Sequence, residues 1–177
     1  MIRNALLSGL SIVLSFSAST AVAQSAHVHG EGRVNIAIDG NRIFMALEIP
    51  GADIVGFEHE ARSSDEKAAV ARAIAQLGDP MQLLRFEADA DCELRTANAA
   101  TEGEPEEHAE QEDEEEHGTF VAEYEFECAN IGALGFIEFI YFSLFNNAQS
   151  LDIVLIDGNG QRRTEIDRAN PVLRLKE

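Results

Sequence analysis

Apolar and polar residues alternate along several stretches of the chain, a period of two that is typical of β-strands with one buried face. The first two stretches cover residues 34–38 and 43–49, on either side of the turn sequence Asp39-Gly40-Asn41. They predict a β-hairpin. The hairpin is expected to end at Pro50, because proline has no N–H to donate to a strand ladder.

Later stretches predict more strands. Residues 120–128 alternate regularly, residues 151–155 alternate up to a second turn sequence at 157–160, and Leu173 with Leu175 suggests a short closing strand. Residues 136–145 are almost continuously apolar. That segment predicts either a central strand or a buried helix, and periodicity does not distinguish the two.

One amphipathic helix of about fourteen residues is predicted between these strands. Ser63 is a suitable N-cap with Glu66 three residues on, and Gly78 and Pro80 stop the pattern. The apolar positions share one side of the helix: Val70, Ile74 and Leu77. The predicted fold class is therefore α+β: a mostly antiparallel sheet built from hairpins, one main helix, and a long acidic, disordered loop insertion at residues 99–118.

The first residues have the pattern of a secretory signal peptide. A positive start precedes an apolar stretch over residues 5–16, and Ala21-Val22-Ala23 has the small-residue cleavage signature. We expect cleavage after residue 23, so that Gln24 begins the mature protein; an uncleaved membrane anchor is the alternative. Residues 24–177 are predicted to form a single exported domain without stable membrane insertion, because no later segment is long and uncharged enough to span a bilayer.

The two cysteines, Cys92 and Cys128, flank the acidic segment. In an oxidising compartment such a pair predicts a disulfide at the base of the insertion. An antiparallel register would then place Leu94 opposite Phe126 and Thr96 opposite Tyr124. A metal site on the two thiolates is less well supported, because the chain has no Cys-x-x-Cys spacing.

The net charge of −19 is concentrated in one segment, since ten of the 32 acidic residues fall between Glu102 and Glu116 with no basic residue among them. Such a field repels nucleic acid and anionic lipid headgroups and attracts cations. No motif of an enzyme accompanies it: the chain has no H-E-x-x-H, G-x-S-x-G or glycine-rich phosphate loop. A cation-binding protein that is not an enzyme is predicted.

The histidines indicate which cation. His27 and His29 are two residues apart, so in an extended segment both imidazoles project to one side and can share a metal ion. All five histidines lie near Glu or Asp, and none lies in an apolar strand. Imidazole with carboxylate favours Zn²⁺, whereas carboxylates alone favour Ca²⁺ or Mg²⁺. Ordinary surface histidines are the alternative interpretation.

The sequence also resembles a known family. Residues 27–61, HVHGEGRVNIAIDGNRIFMALEIPGADIVGFEHEA, and then SSDEKAAV, AEYEFECAN, an apolar stretch ending in LF, GQRRTEI and VLRL are similar to ZrgA-type periplasmic zinc-uptake proteins. The resemblance implies an exported accessory protein that binds zinc and assists an ABC-type zinc importer. His27 and His29 match the N-terminal pair of the family, and His59 matches its Gly-Phe-Glu-His histidine. The middle stretch matches by position alone, because glutamate and aspartate replace most of the histidines that are typical there.

These observations predict two zinc-binding zones. His27, His29 and His59 are expected to form a defined site whose fourth position is water or a carboxylate such as Glu58. His108 and His117, among their glutamates, are expected to form a weaker capture zone. The alternative function is that of an acidic surface or assembly protein that binds calcium or another cation and has no zinc role.

Overall fold

The computed structural model describes residues 30–102 and 118–176, which form two β-sheets and a few short helices. The strands are β1 (Glu31–Asp39), β2 (Arg42–Pro50), β3 (Leu84–Phe86), β4 (Cys92–Glu102), β5 (Thr119–Cys128), β6 (Phe136–Phe139), β7 (Ser150–Asp157), β8 (Gly160–Asp167) and β9 (Val172–Arg174). The α-helices are α1 (Gly51–Ile54), α2 (Ser64–Leu77), α3 (Pro80–Leu83) and α4 (Tyr141–Leu144), and Ala88–Ala90 and Ile131–Ala133 are 3₁₀ turns.

The larger sheet has the strand order β4-β5-β2-β1-β7-β8, and the smaller has the order β3-β6-β9. Neighbouring strands are antiparallel, except that β1 and β7 run parallel. Both predicted hairpins form, with Asp39 paired to Arg42 and Asp157 paired to Gly160. The predicted sheet-rich, mostly antiparallel fold is confirmed for the described residues.

The alternation seen in the sequence places one face of the larger sheet in the core. The buried hydrophobic side chains on its four inner strands are Val34, Ile36, Ile43, Met45, Leu47, Ile49, Phe120, Ala122, Tyr124, Phe126, Cys128, Leu151, Ile153 and Leu155. The smaller sheet contributes Leu84, Ile137, Phe139 and Leu173 to the same cluster. The opposite face of the larger sheet is mostly polar, as expected for an antiparallel sheet with one solvated side.

The predicted helix is confirmed as α2, which has fourteen residues. The Ser63 hydroxyl accepts from Glu66 N, and the Glu66 carboxylate accepts from Ser63 N, which completes a capping box. At the other end of the helix the buried Tyr124 hydroxyl donates to the Leu77 carbonyl at 2.7 Å. The helix is thus held at its C-terminus by the larger sheet.

The apolar segment 136–145 is neither one strand nor one helix. Its first part is β6, the central strand of the smaller sheet, and its second part is the single turn α4. The guanidinium of Arg168 donates to four carbonyls within α4 and just after it: those of Phe142, Phe145, Asn146 and Ala148. The turn is therefore stabilised by a residue distant in sequence, which local periodicity does not reveal.

The predicted disulfide is confirmed: Cys92 and Cys128 are bonded and face each other at the start of the β4–β5 ladder. The predicted pairing of Leu94 with Phe126 is also present. At the far end of the same ladder Glu102 pairs with Thr119. Residues 99–102 therefore belong to β4, although the predicted loop began at residue 99.

The predicted pairing of Thr96 with Tyr124 is wrong. A register shift between residues 94 and 96 makes Arg95 an extra residue, so Thr96 lies opposite Glu125 and Ala97 lies opposite Tyr124. Arg95 lies 3.0 Å from Glu127 through Nε, an ion pair across the strands at the bulge. A bulge of this kind is set by cross-strand contacts and not by the pattern of one strand.

The predicted signal peptide, residues 1–23, and residues 103–117 of the predicted acidic loop lie outside the described residues. In the part that the structure describes, no helix has the length and apolar character needed to cross a membrane.

Candidate metal centre

We refer to the connection from β2 to α2, residues 51–63, as the corner. It includes α1 and two of the predicted zinc ligands. Glu58 and His59 lie in this connection. The other predicted ligands lie outside the described residues: His27, His29, His108 and His117.

Two glycines join this corner to the end of the β4–β5 ladder. Gly51 N donates to Gly118 O at 2.7 Å, and Gly118 N donates to Glu58 O at 2.7 Å. A Cβ atom on Gly51 would lie 2.5 Å from Gly118 O and 2.6 Å from Phe57 O, so no larger residue fits there without a shift of backbone. Residue 118, which directly follows His117 in the chain, is thereby fixed beside the residue that precedes His59.

Helix α1 also holds the residue that precedes β1. Gly30 N donates to Asp53 Oδ1 at 2.8 Å, and Gly30 O accepts from Gln149 N and Ser150 N at 2.9 Å each. Asp53 is buried, and Gly30 has a φ of +88°, a conformation that favours glycine. Gly30, which directly follows His29, is therefore held by Asp53 of α1. Asp53 is two residues along the chain from Gly51.

His59 is oriented by its neighbours although its side chain is 56% exposed. Its ring stacks on Phe57 with centroids 4.8 Å apart, and its Nδ1 lies 3.0 Å from Glu60 O. A carbonyl oxygen only accepts hydrogen bonds, so in the neutral ring Nδ1 carries the proton and Nε2 carries the lone pair. This is the tautomer that offers Nε2 to a metal ion.

Glu66 faces that nitrogen. Its Oε1 lies 3.9 Å from His59 Nε2, while its Oε2 accepts from Arg62 N at 2.9 Å and from Ser63 N at 2.8 Å. These hydrogen bonds, with that from Ser63 N the strongest influence, hold the pKa of the Glu66 carboxyl below its usual value. The sequence pattern indicated Glu66 only as a helix cap, because nothing in the spacing of residues 59 and 66 predicts that the intervening turn brings them together.

A groove of about 670 Å³ opens beside His59. Val70 and Ile74 of α2 line it together with Phe120 of β5 and with Glu102 and Gly118, which lie at the same end of the β4–β5 ladder. It leaves His59 accessible from solvent at the point where the acidic segment enters and leaves the fold. Within residues 30–102 and 118–176, no three His, Cys, Asp or Glu side chains are grouped closely enough to hold a metal ion.

Comparison with known families connects the chain with zinc uptake. The sequence model for the ZrgA family zinc uptake protein matches residues 26–175. The chain belongs to the ZrgA family. Membership of the ZrgA family indicates a role in zinc uptake and favours binding over catalysis. The range matched by the ZrgA model contains all six predicted ligands. No curated protein matches the chain.

Proposed function

We propose that this ZrgA-family protein is an exported, periplasmic accessory protein that captures Zn²⁺ and assists a zinc ABC importer. The observation that carries the proposal is the convergence on α1. Gly30, which follows His29, donates its N–H to the side chain of Asp53 on α1. Gly118, which follows His117, is hydrogen-bonded through its backbone to Gly51 of α1 and to Glu58, which precedes His59. Residues that adjoin three of the predicted histidine ligands in the sequence are therefore held near one another, which supports the proposal.

In the proposed site, His27, His29 and His59 supply three imidazoles, and the fourth position is water or a carboxylate, for which the sequence favours Glu58. The tautomer of His59 supports this, because Nε2 is available to the ion and Nδ1–H is held by Glu60 O. Zn²⁺ accepts such mixed nitrogen and oxygen ligands in a tetrahedral arrangement. Zinc is the cargo of this site, and no catalytic step is required.

The proposed capture zone, His108 and His117 with their glutamates, collects cations and passes them to the defined site. The hydrogen bond from Gly118 N to Glu58 O supports this route, because the chain that leaves the acidic segment is fixed next to His59. An ordered ligand set binds more tightly than one whose backbone must be ordered on binding. The two zones are therefore expected to differ in affinity.

The test is a titration of mature protein, residues 24–177, with Zn²⁺ and separately with Ca²⁺. Three variants divide the zones: His59→Ala, His27→Ala with His29→Ala, and replacement of residues 103–117 by a Gly-Ser linker that keeps Gly118. The first two should abolish the tight site, and the third should remove only the weak sites. Tight zinc binding that survives both histidine variants, or a preference for Ca²⁺ without dependence on histidine, would overturn the proposal.

Export has its own test. The mass of the protein recovered from the periplasm should correspond to a chain that begins at Gln24, because Ala21-Val22-Ala23 directs cleavage there. A chain recovered with Met1 intact would contradict both the cleavage site and the proposed compartment.

A further inference from the structure

We infer that Glu66, the capping carboxylate of α2, is the carboxylate ligand of the zinc ion bound at His59 Nε2. This inference rests on the proposed function and identifies one of its ligands. Glu66 and His59 are both described by the structure, and their facing atoms, Oε1 and Nε2, are 3.9 Å apart.

The separation fits a shared ion. Zinc bonds of about 2.0–2.1 Å to nitrogen and about 2.0–2.2 Å to oxygen place two tetrahedral ligand atoms about 3.3–3.5 Å apart. The observed distance exceeds this by roughly half an ångström. A small rotation of either side chain closes that gap, and both are partly exposed to solvent.

The two side chains are also held with the correct atoms facing each other. Oε2 of Glu66 is occupied by the N–H groups of Arg62 and Ser63, which leaves Oε1 directed at His59. Nδ1 of His59 is occupied by Glu60 O, which leaves Nε2 directed at Glu66. Such outer hydrogen bonds orient the ligands of metal sites and fix the histidine tautomer.

Glu58 is the competing carboxylate for this ion. The rings of Phe57 and His59 stack, so these two side chains project to the same side of the chain. Glu58 lies between them in sequence, and Glu66 is the carboxylate whose approach to Nε2 the structure describes. Glu66 approaches that nitrogen from α2.

The decisive variant is Glu66→Gln, because glutamine at this position still completes a capping box and the helix should remain folded. Asp65→Asn is the matched control, since it removes the same charge from the same first turn of α2. Glu58→Gln tests the competing ligand, and His59→Ala tests the site itself. Zinc affinity is measured by competition with a chromophoric chelator, and geometry by the absorption spectrum of Co²⁺ bound in place of zinc.

Glu66→Gln should weaken zinc binding by about 10–100-fold and change the Co²⁺ spectrum, while Asp65→Asn leaves both unchanged and Glu58→Gln has a smaller effect than Glu66→Gln. Amide exchange at Arg62 and Ser63 should slow on zinc addition in the wild type but not in Glu66→Gln, because the ion immobilises the carboxylate that these amides bind. An unchanged affinity and spectrum for Glu66→Gln, with affinity lost in His59→Ala, would overturn this inference and leave the proposed function intact. If His59→Ala also had no effect, the proposed function would fail with it.

Discussion

The two ends of the β4–β5 ladder are built in different ways. At one end the Cys92–Cys128 disulfide joins the strands, with Cys128 fully buried. At the other end Gly118 is held to α1 and to the carbonyl of Glu58 by two backbone hydrogen bonds beside an exposed histidine. The first end is expected to stabilise the domain, because the disulfide restricts the unfolded chain. The second leaves the donor atoms of His59 accessible to solvent, as the proposed exchange of zinc requires.

The largest effect is expected at the disulfide. Replacing Cys92 and Cys128 together by alanine should lower the free energy of unfolding by about 4 kcal/mol, because the bond closes a loop with a sequence separation of 36 residues. Urea unfolding measures this change. Zinc affinity of the folded variant should be unchanged, and a marked loss of zinc binding would show that the two ends are not independent.

Zinc itself should act at the other end. At a free concentration about 100 times its dissociation constant, zinc should stabilise the wild type by about 2.7 kcal/mol, because it binds the folded state alone. His59→Ala should lose most of this stabilisation while keeping the stability of the metal-free protein within about 0.5 kcal/mol, as is usual for an exposed side chain. Thermal unfolding with and without zinc provides the measurement. Equal stabilisation of wild type and variant would place the ion elsewhere.

The features at the Cys92–Cys128 end of the ladder could largely be predicted from the sequence. The arrangement around His59 at the other end could be predicted less well. The hairpins and the capped helix follow from local patterns, and the disulfide follows from the pairing of the two cysteines expected in an oxidising compartment. The extra residue at Arg95 could not be predicted, because a bulge depends on the partner strand. Nor could the approach of Glu66 to His59 or the hydrogen bond from Gly30 to Asp53, since both depend on how the turn after β2 folds back in three dimensions.

The corner itself can be disturbed without touching a proposed ligand. Gly51→Ala would place a methyl group 2.5 Å from Gly118 O and 2.6 Å from Phe57 O, so backbone must move. We expect a loss of about 1–3 kcal/mol in the free energy of unfolding, together with weaker zinc binding. Gly158→Ala is the control, because nothing lies within 4 Å of a Cβ atom at that turn. If Gly51→Ala were destabilised but bound zinc normally, the arrangement around α1 would matter for folding alone.

The smallest effect concerns the attachment of α2, the helix that carries Glu66. Tyr124→Phe removes the hydroxyl that donates to Leu77 O from within the core. The free energy of unfolding should fall by about 0.5–1.5 kcal/mol, because one net hydrogen bond disappears and nothing larger than an oxygen atom is removed.

Tyr141→Phe is the matched control: its buried hydroxyl has no hydrogen-bond partner among the described residues, so its removal should not destabilise the protein. Both variants should keep the zinc affinity of the wild type, since the N-terminal cap that positions Glu66 is the opposite end of the helix. Chemical unfolding and zinc competition on the two proteins test this together, and a loss of zinc affinity in Tyr124→Phe alone would mean that the seating of the whole helix, and not its cap, positions the carboxylate.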